Sequence, residues 1–179
     1  MLAALICVLA PISVPLPGGV PVSLATLAVM LTGCLLGPVW GLVSTLVYLL
    51  LGCVGLPVFA GYAAGLSRLA GPTGGYLVGY LPLASICGIR LFHQENRILK
   101  TLSTIPSMIL GTAALYLLGT LWFCFVTDTG FLAALSLCVI PFLPLDLLKI
   151  AVTAVLVPLI ESVLKRANLT DLRETAPMR

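Results

Sequence analysis

Mainly apolar residues fill six long blocks of this chain, and most of the charged residues lie in the breaks between them or after the last block. The blocks cover residues 1–14, 23–37, 39–53, 73–91, 102–126 and 141–163. A helix needs about 20 mainly apolar residues to cross a bilayer, and unpaired backbone groups are not tolerated in lipid. The pattern therefore predicts an all-α integral membrane protein, a bundle of six transmembrane helices in which the first helix is short.

Glycine and proline mark the breaks between these blocks. Residues 15–21 read Pro-Leu-Pro-Gly-Gly-Val-Pro, which predicts a tight, ordered turn, and Gly37-Pro38 separates the second helix from the third. Residues 55–76, between helices three and four, are rich in glycine and proline but still apolar. Non-helical backbone survives at membrane depth only when it is buried in protein or lines a cavity. This segment therefore predicts an ordered outer loop over a site, and residues 131–140 form either a short helix or a loop.

Composition leaves no room for a soluble domain. Of the 179 residues, 60% are hydrophobic and 8% are charged, whereas a soluble domain carries about 25% charged residues. We expect one transmembrane substrate-binding domain over residues 1–164, followed by a polar cytoplasmic tail over 165–179. The net charge of +3 gives no reason to expect a nucleic-acid partner, and membrane lipid is the expected surrounding.

The basic residues predict the orientation of the bundle. Short loops rich in lysine and arginine stay in the cytoplasm. Seven of the nine basic residues lie between helices four and five or after helix six, namely Arg90, Arg97, Lys100, Lys165, Arg166, Arg173 and Arg179. An alternating chain in the cell membrane with both termini cytoplasmic places all seven inside. The 55–71 loop and the outer half of helix six then face the outside, together with Arg68.

Two charges stand alone in residues 141–157 of the last apolar block. Asp146 and Lys149 have no charged residue within ten positions on either side, and their spacing places them on one helical face. A charge at mid-membrane costs about 2.5–3.5 kcal/mol on insertion scales. A lipid-facing pair would only cost free energy, so we expect the pair to face the protein interior or a polar cavity, and we interpret it as part of the wall of a solute site. A purely structural ion pair is the alternative.

Other motifs add little chemistry. The six cysteines form no C-x-x-C pair and lie in apolar runs, which is typical of buried free thiols, and the lone His93 lies in a charged loop. We therefore expect no metal site and no cofactor. No G-x-x-x-x-G-K-[ST] motif is present, so transport energy must come from a gradient or from partner chains. Glycines recur at spacing four, which lets helices pack closely within the chain or between copies in a homo-oligomer.

Three motifs together resemble the BioY family, the biotin-binding S components of energy-coupling-factor (ECF) transporters. They are Gly55-Leu-Pro-Val-Phe-Ala60, Gly71-Pro-Thr-Gly-Gly-Tyr76 and Asp146-Leu-Leu-Lys149. The resemblance implies a six-helix bundle that binds biotin near its outer face. It also implies delivery through a transmembrane coupling subunit (T component) and two cytoplasmic ATPases, although some members are thought to work without them. Such a chain is a transporter subunit and not an enzyme.

The resemblance also points to residues. It implies that Asp146 and Lys149 are the polar ligand contacts and that residues 55–76 cover the substrate, so that Phe59, Tyr62 and Tyr76 can pack on the biotin ring. Which of the two charges meets the carboxylate and which meets the ureido group stays open. The family's P-x-T-L-Q stretch here reads Pro21-Val-Ser-Leu-Ala25, without the amide, and the A-x-x-x-A docking pattern on helix one appears as Ala3-x-x-x-Cys7.

Three alternatives remain from the sequence. The chain could be an S component or carrier for another small vitamin, a non-catalytic structural membrane subunit, or a membrane enzyme. The enzyme alternative lacks a nucleophile with a base and lacks a metal motif such as H-E-x-x-H.

Overall fold

The computed structural model describes residues 1–14, 21–89 and 97–166. Within these ranges the chain forms a two-stranded ribbon and eight α-helices. The N-terminal half contains α1 (Leu2–Leu9), β1 (Ser13–Val14), β2 (Val22–Ser23), α2 (Ala25–Leu36), α3 (Pro38–Val54) and α4 (Leu66–Ala70). The C-terminal half contains α5 (Gly74–Gly88), α6 (Arg97–Thr127), α7 (Phe131–Cys138) and α8 (Leu143–Arg166). The fold is therefore mostly helical, as predicted.

The number of helices differs from the prediction of six. The predicted helices correspond to α1, α2, α3, α5, α6 and α8, and the two additional helices are short. The first, α4, has five residues and lies inside the glycine- and proline-rich segment. The second, α7, has eight residues and occupies the stretch that was left open between helix and loop.

The predicted first helix was wrong at its end. α1 stops at Leu9, and residues 13–14 pair in antiparallel register with residues 22–23 as a short ribbon. Two prolines explain the stop, because Pro11 and Pro15 cannot donate a backbone hydrogen bond to an extended helix. Most of the predicted turn at 15–21 lies outside the described residues. The same holds for the first part of the predicted charged loop at 90–100 and for most of the predicted tail at 165–179. Residues 97–100 were wrongly predicted as loop, because α6 already begins at Arg97, and α8 continues to Arg166.

The apolar block at 102–126 predicts that Pro106 lies in the first turn of the fifth helix. Because α6 begins at Arg97, this proline lies inside the helix instead. Pro158 lies inside α8 in the same way. Two stretches of these helices, Thr104–Thr127 and Leu143–Val163, are long and apolar enough to cross a membrane by length and composition.

Helix α5 is the centre of the bundle and packs against α2, α3 and α6. Glycines allow this approach. A Cβ at Gly75 would overlap the Trp122 side chain on α6, and a Cβ at Gly33 on α2 would overlap the carbonyl of Ala84 on α5. The predicted close packing of glycine-spaced helices is therefore confirmed within the chain at these positions. Helix α8 closes the bundle against α2 and α6, which brings its charged pair next to the start of α2.

Candidate functional site

Asp146 and Lys149 lie side by side on the first two turns of α8, and both are buried. Their side chains form an ion pair, with 2.8 Å between Lys149 Nζ and Asp146 Oδ1. Asp146 is 4% exposed and Lys149 is 8% exposed. The prediction that this pair faces the protein interior is confirmed. A buried pair of this kind needs further hydrogen bonds, because desolvation of both charges opposes their attraction.

The start of α2 supplies those hydrogen bonds to the cation. Lys149 Nζ donates to the backbone carbonyl of Ser23 and to Thr26 Oγ1, each at 2.8 Å, in addition to Asp146. An ammonium has three N–H donors, so all three are engaged. Ser23 Oγ itself accepts from the backbone N–H of Ala25 at 3.2 Å. The sequence suggests Ser23 as the cap of this helix, but the N-cap residue of α2 is Leu24, which makes no side-chain capping bond.

The carboxylate has donors on two helices besides α8. Asp146 Oδ1 accepts from Thr26 at 3.3 Å as well as from Lys149. Asp146 Oδ2 accepts from the Tyr116 hydroxyl of α6 at 2.5 Å. The pair therefore joins α2, α6 and α8 in one polar network. A carboxylate has about four acceptor sites, so Asp146 can still accept a further hydrogen bond.

A cavity opens beside this network. It encloses about 690 Å³ of space free of protein atoms, part of which is open to solvent. Helices α2, α5, α6 and α8 and the segment between α3 and α5 contribute its walls. Its lining residues are Pro21, Ser23, Thr26, Phe59, Ala60, Ala63, Arg68, Thr73, Tyr76, Leu77, Tyr80, Leu115, Tyr116, Phe142, Asp146 and Lys149. A few polar groups in an otherwise apolar concavity are the usual composition of a small-molecule site.

Phe59 is held in place by helix α3. The side chain is 2% exposed, and its ring lies against Gly52, where a Cβ would overlap three ring atoms. The ring also meets Tyr48 edge to face, with 5.7 Å between centroids and 86° between planes. Such a pair contributes about 0.5–1.5 kcal/mol beyond burial. The fixed ring thereby holds this part of the glycine-rich segment at the cavity wall.

Backbone hydrogen bonds hold the same segment at its far end. The N–H of Gly65 donates to the carbonyl of Gly52 at 2.8 Å, and the N–H of Gly61 donates to that of Pro11 at 3.1 Å. Gly61 and Gly65 have φ angles of +69° and +92°, which glycine adopts without strain. The segment is thus an ordered loop between α3 and α5 that contributes lining residues to the cavity.

The structure brings together four of the five predicted site residues. Phe59, Tyr76, Asp146 and Lys149 all line the cavity. Tyr76 donates its hydroxyl to the carbonyl of Cys138 at 3.4 Å, and its ring lies against Gly119 of α6. Tyr62 is not among the lining residues. Its side chain is 69% exposed, because a φ angle of +58° at this residue turns the chain between two glycines.

Sequence reasoning missed Thr26, Arg68 and Tyr116 as lining residues. Arg68 could have been chosen from the sequence, because it is the one basic residue predicted on the outer side of the membrane, where the loop and the outer half of helix six also lie. Arg68 lies on α4 and is exposed, and its side chain makes no hydrogen bond or ion pair with the described residues. Thr26 and Tyr116 carried no signal, since a single threonine or tyrosine in an apolar helix does not mark a site.

Metal-ligating groups are not clustered in the part of the chain that the structure describes, where no three His, Cys, Asp or Glu side chains could hold an ion together. All six cysteines lie in the described ranges, where none forms a disulfide bond, and Cys34, Cys87 and Cys138 are buried. The charged groups that line the cavity are the Asp146 carboxylate and the two cations of Lys149 and Arg68, and the rest of the lining supplies hydroxyl groups and aromatic surface.

Comparison with known proteins is consistent with this geometry. The model of the BioY family matches residues 1–166. The biotin transporter BioY2 of Lactococcus lactis subsp. cremoris (strain MG1363) is 39% identical over 147 residues, which cover 82% of this chain and 79% of that protein. A probable biotin transporter BioY of Pyrococcus horikoshii is 39% identical over 157 residues, covering 88% and 89% respectively.

A solved structure has the same fold. The crystal structure of the S-component for biotin from an ECF-type ABC transporter superposes with a TM-score of 0.78 at 27% identity. The match covers 90% of this chain and 87% of that chain. With the family match spanning nearly all described residues, the chain belongs to the BioY family.

Proposed function

We propose that this chain is the membrane substrate-binding subunit for biotin uptake. The observation that carries the proposal is the buried Asp146–Lys149 pair at the wall of an open cavity. Relatives that share 39% of their residues with this chain bear the name biotin transporter. Charged groups inside a membrane protein mark substrate pathways more often than they stabilise the fold.

The hydrogen bonds suggest how biotin is oriented. Biotin has a neutral ureido head and a carboxylate tail. Lys149 has no N–H left to offer a carboxylate, because its three donors are engaged. Asp146 retains acceptor capacity, which suits the ureido N–H groups. We therefore assign the ureido head to Asp146, with Lys149 keeping this carboxylate charged and oriented.

Arg68 is the remaining cation at the cavity. Its guanidinium is exposed and has no partner among the described residues, and such a group pairs well with a carboxylate. We assign the valerate carboxylate of biotin to Arg68, with Phe59 and Tyr76 packing against the apolar ring. The exposed position of Arg68 places the tail toward the mouth of the cavity.

Delivery requires partner chains in this proposal. The sequence has no phosphate-binding loop motif, so a T component and two cytoplasmic ATPases would supply the energy. The loop between α3 and α5 faces outward and both termini face the cytoplasm, as the basic residues predict. The cavity then receives biotin from outside the cell membrane.

Isothermal titration of the detergent-purified chain with biotin tests the binding proposal directly. We expect saturable one-to-one binding that thiamine and riboflavin do not displace. Competition by another vitamin at equal concentration would reassign the substrate, and absence of binding at micromolar biotin would refute the proposal. Uptake of labelled biotin by cells that express the chain with and without the coupling module tests the partners.

Replacement of Arg68 by alanine tests the assignment of the carboxylate. We expect biotin affinity to fall about tenfold or more, as for the loss of one charge-assisted hydrogen bond. Biotin amide, which lacks the carboxylate, is the matched control ligand and should bind wild-type and Arg68→Ala protein equally. An equal loss for both ligands would show that Arg68 acts on the loop and not on the carboxylate.

A further inference from the structure

Tyr116 occupies a position that the preceding assignment does not use. It lies on α6, lines the cavity and is half-buried. Its hydroxyl donates to Asp146 Oδ2 at 2.5 Å, while Lys149 and Thr26 donate to Oδ1. Tyr116 is thus the donor at the carboxylate oxygen that the cation leaves free. A ureido N–H that approaches Oδ2 must share this oxygen with the phenol or displace it.

We propose that Tyr116 is a specificity-determining residue that recognises the ureido carbonyl through a hydrogen bond from its hydroxyl. When biotin binds, a ureido N–H donates to Asp146 Oδ2, and the Tyr116 hydroxyl turns from that oxygen to donate to the neighbouring ureido C=O. The proposal deepens the assignment of biotin to this cavity and rests on it. One protein hydrogen bond in the empty site is exchanged for two between protein and ligand.

The chemistry of the ureido edge supports this exchange. A cyclic urea presents an N–H donor and a C=O acceptor side by side, and Asp146 and Tyr116 present an acceptor and a donor within hydrogen-bond distance of each other. The carbonyl needs a donor once it is out of water. Three other donors that line the cavity are engaged, since Lys149 and Thr26 donate to Asp146 and the Tyr76 hydroxyl donates to the carbonyl of Cys138. Tyr116 is the lining hydroxyl that lies within hydrogen-bond distance of Asp146 Oδ2.

Replacement of Tyr116 by phenylalanine, measured with two ligands, tests the proposal. The second ligand is 2-iminobiotin, which at neutral pH carries a guanidinium in place of the ureido group and has no acceptor at the carbonyl position. We expect biotin affinity to fall about tenfold in Tyr116→Phe, because its carbonyl is left buried without a donor. Iminobiotin should bind as well as before or better, since it gains access to Asp146 Oδ2. An equal loss for both ligands would overturn the proposal.

Infrared spectroscopy provides a second measurement that does not depend on the affinity. Biotin labelled with ¹³C at the ureido carbon has a carbonyl band that moves to lower frequency when a donor binds the oxygen. We expect this shift on binding to the wild-type chain and its loss in Tyr116→Phe. A band at the position seen for free biotin in an aprotic solvent would overturn the proposal.

Tyr48→Phe is the matched control. It also removes a buried phenol, but that hydroxyl has no hydrogen-bond partner and does not line the cavity. The ratio of biotin to iminobiotin affinity should stay at its wild-type value. The two proposals fail in different ways. Wild-type protein that does not bind biotin refutes the function, whereas wild-type protein that binds biotin with a ratio unchanged by Tyr116→Phe refutes only the role of Tyr116.

Discussion

The Asp146–Lys149 pair can serve the fold, the ligand or both, and three variants separate these roles. Lys149→Met keeps the length of the side chain but removes the ammonium. Asp146→Asn keeps the shape of the carboxylate but removes its charge. The double variant removes both charges and leaves two neutral groups of similar size. Each protein is compared with wild type for its thermal stability in detergent and for its affinity for biotin.

The structure predicts that the single variants are less stable than the double variant. Lys149→Met leaves Asp146, which is 4% exposed, without a cation, and removing one partner of a buried pair costs about 3–5 kcal/mol. Asp146→Asn leaves an ammonium that retains its bonds to Ser23 and Thr26, so its cost lies at the lower end. In the double variant no charge is left unpaired, and the remaining loss is about 1 kcal/mol for each neutral hydrogen bond. Stability should therefore recover in the double variant.

Binding should not recover. If Asp146 accepts the ureido N–H groups, all three variants lose most of their affinity in isothermal titration, and the double variant is no better than the single ones. A double variant that binds biotin as tightly as wild type would refute the reasoning and leave the pair with a structural role only. Thr153→Val is the control on the same helix, because it removes a buried hydroxyl that has no partner. We expect it to keep wild-type affinity.

Two further substitutions test the surroundings of the pair. In Gly52→Ala the new methyl overlaps the Phe59 ring, so the ring must leave the cavity wall. The lost burial of this ring should lower the stability by about 1.5–3 kcal/mol in a thermal melt, and its absence from the cavity wall should weaken biotin binding in titration. Gly130→Ala, which meets no atom within 4 Å, should be neutral in both. Thr26→Val removes a donor to Asp146 and an acceptor for Lys149 and should lower thermal stability by about 1–3 kcal/mol, while Thr26→Ser should restore it; equal stability of the two would contradict the network.

The long apolar helices and the charged pair could be predicted from the sequence for the same reason. An apolar block of sufficient length has few stable structures in lipid, and a carboxylate and an ammonium inside such a block must find an interior partner. The prediction failed where short polar and prolyl segments decide the structure. The ribbon of residues 13–14 and 22–23 depends on pairing across the chain, which no local pattern shows. The five-residue helix α4 is too short to produce a periodic signal.

The aromatic residues show a second limit of sequence reasoning. Phe59, Tyr62 and Tyr76 looked equivalent as ring-packing candidates, yet Tyr62 is exposed and Phe59 is almost completely buried. The difference comes from Gly52 in the last turn of α3, where the missing side chain leaves space for the Phe59 ring. Tyr116 could not be chosen among the other aromatic residues of α6, because its role depends on the distance to a carboxylate thirty positions away.

The bond from Lys149 to the main chain of Ser23 has a consequence for how this site can vary. Every amino acid carries a backbone carbonyl, so a substitution at position 23 leaves the acceptor of this hydrogen bond from Lys149 in place. The chain can therefore differ from the P-x-T-L-Q motif between Pro21 and Ala25 and still bind the Lys149 ammonium through this carbonyl. At this point the position of the backbone carbonyl must be kept, whereas the identity of the side chain can change.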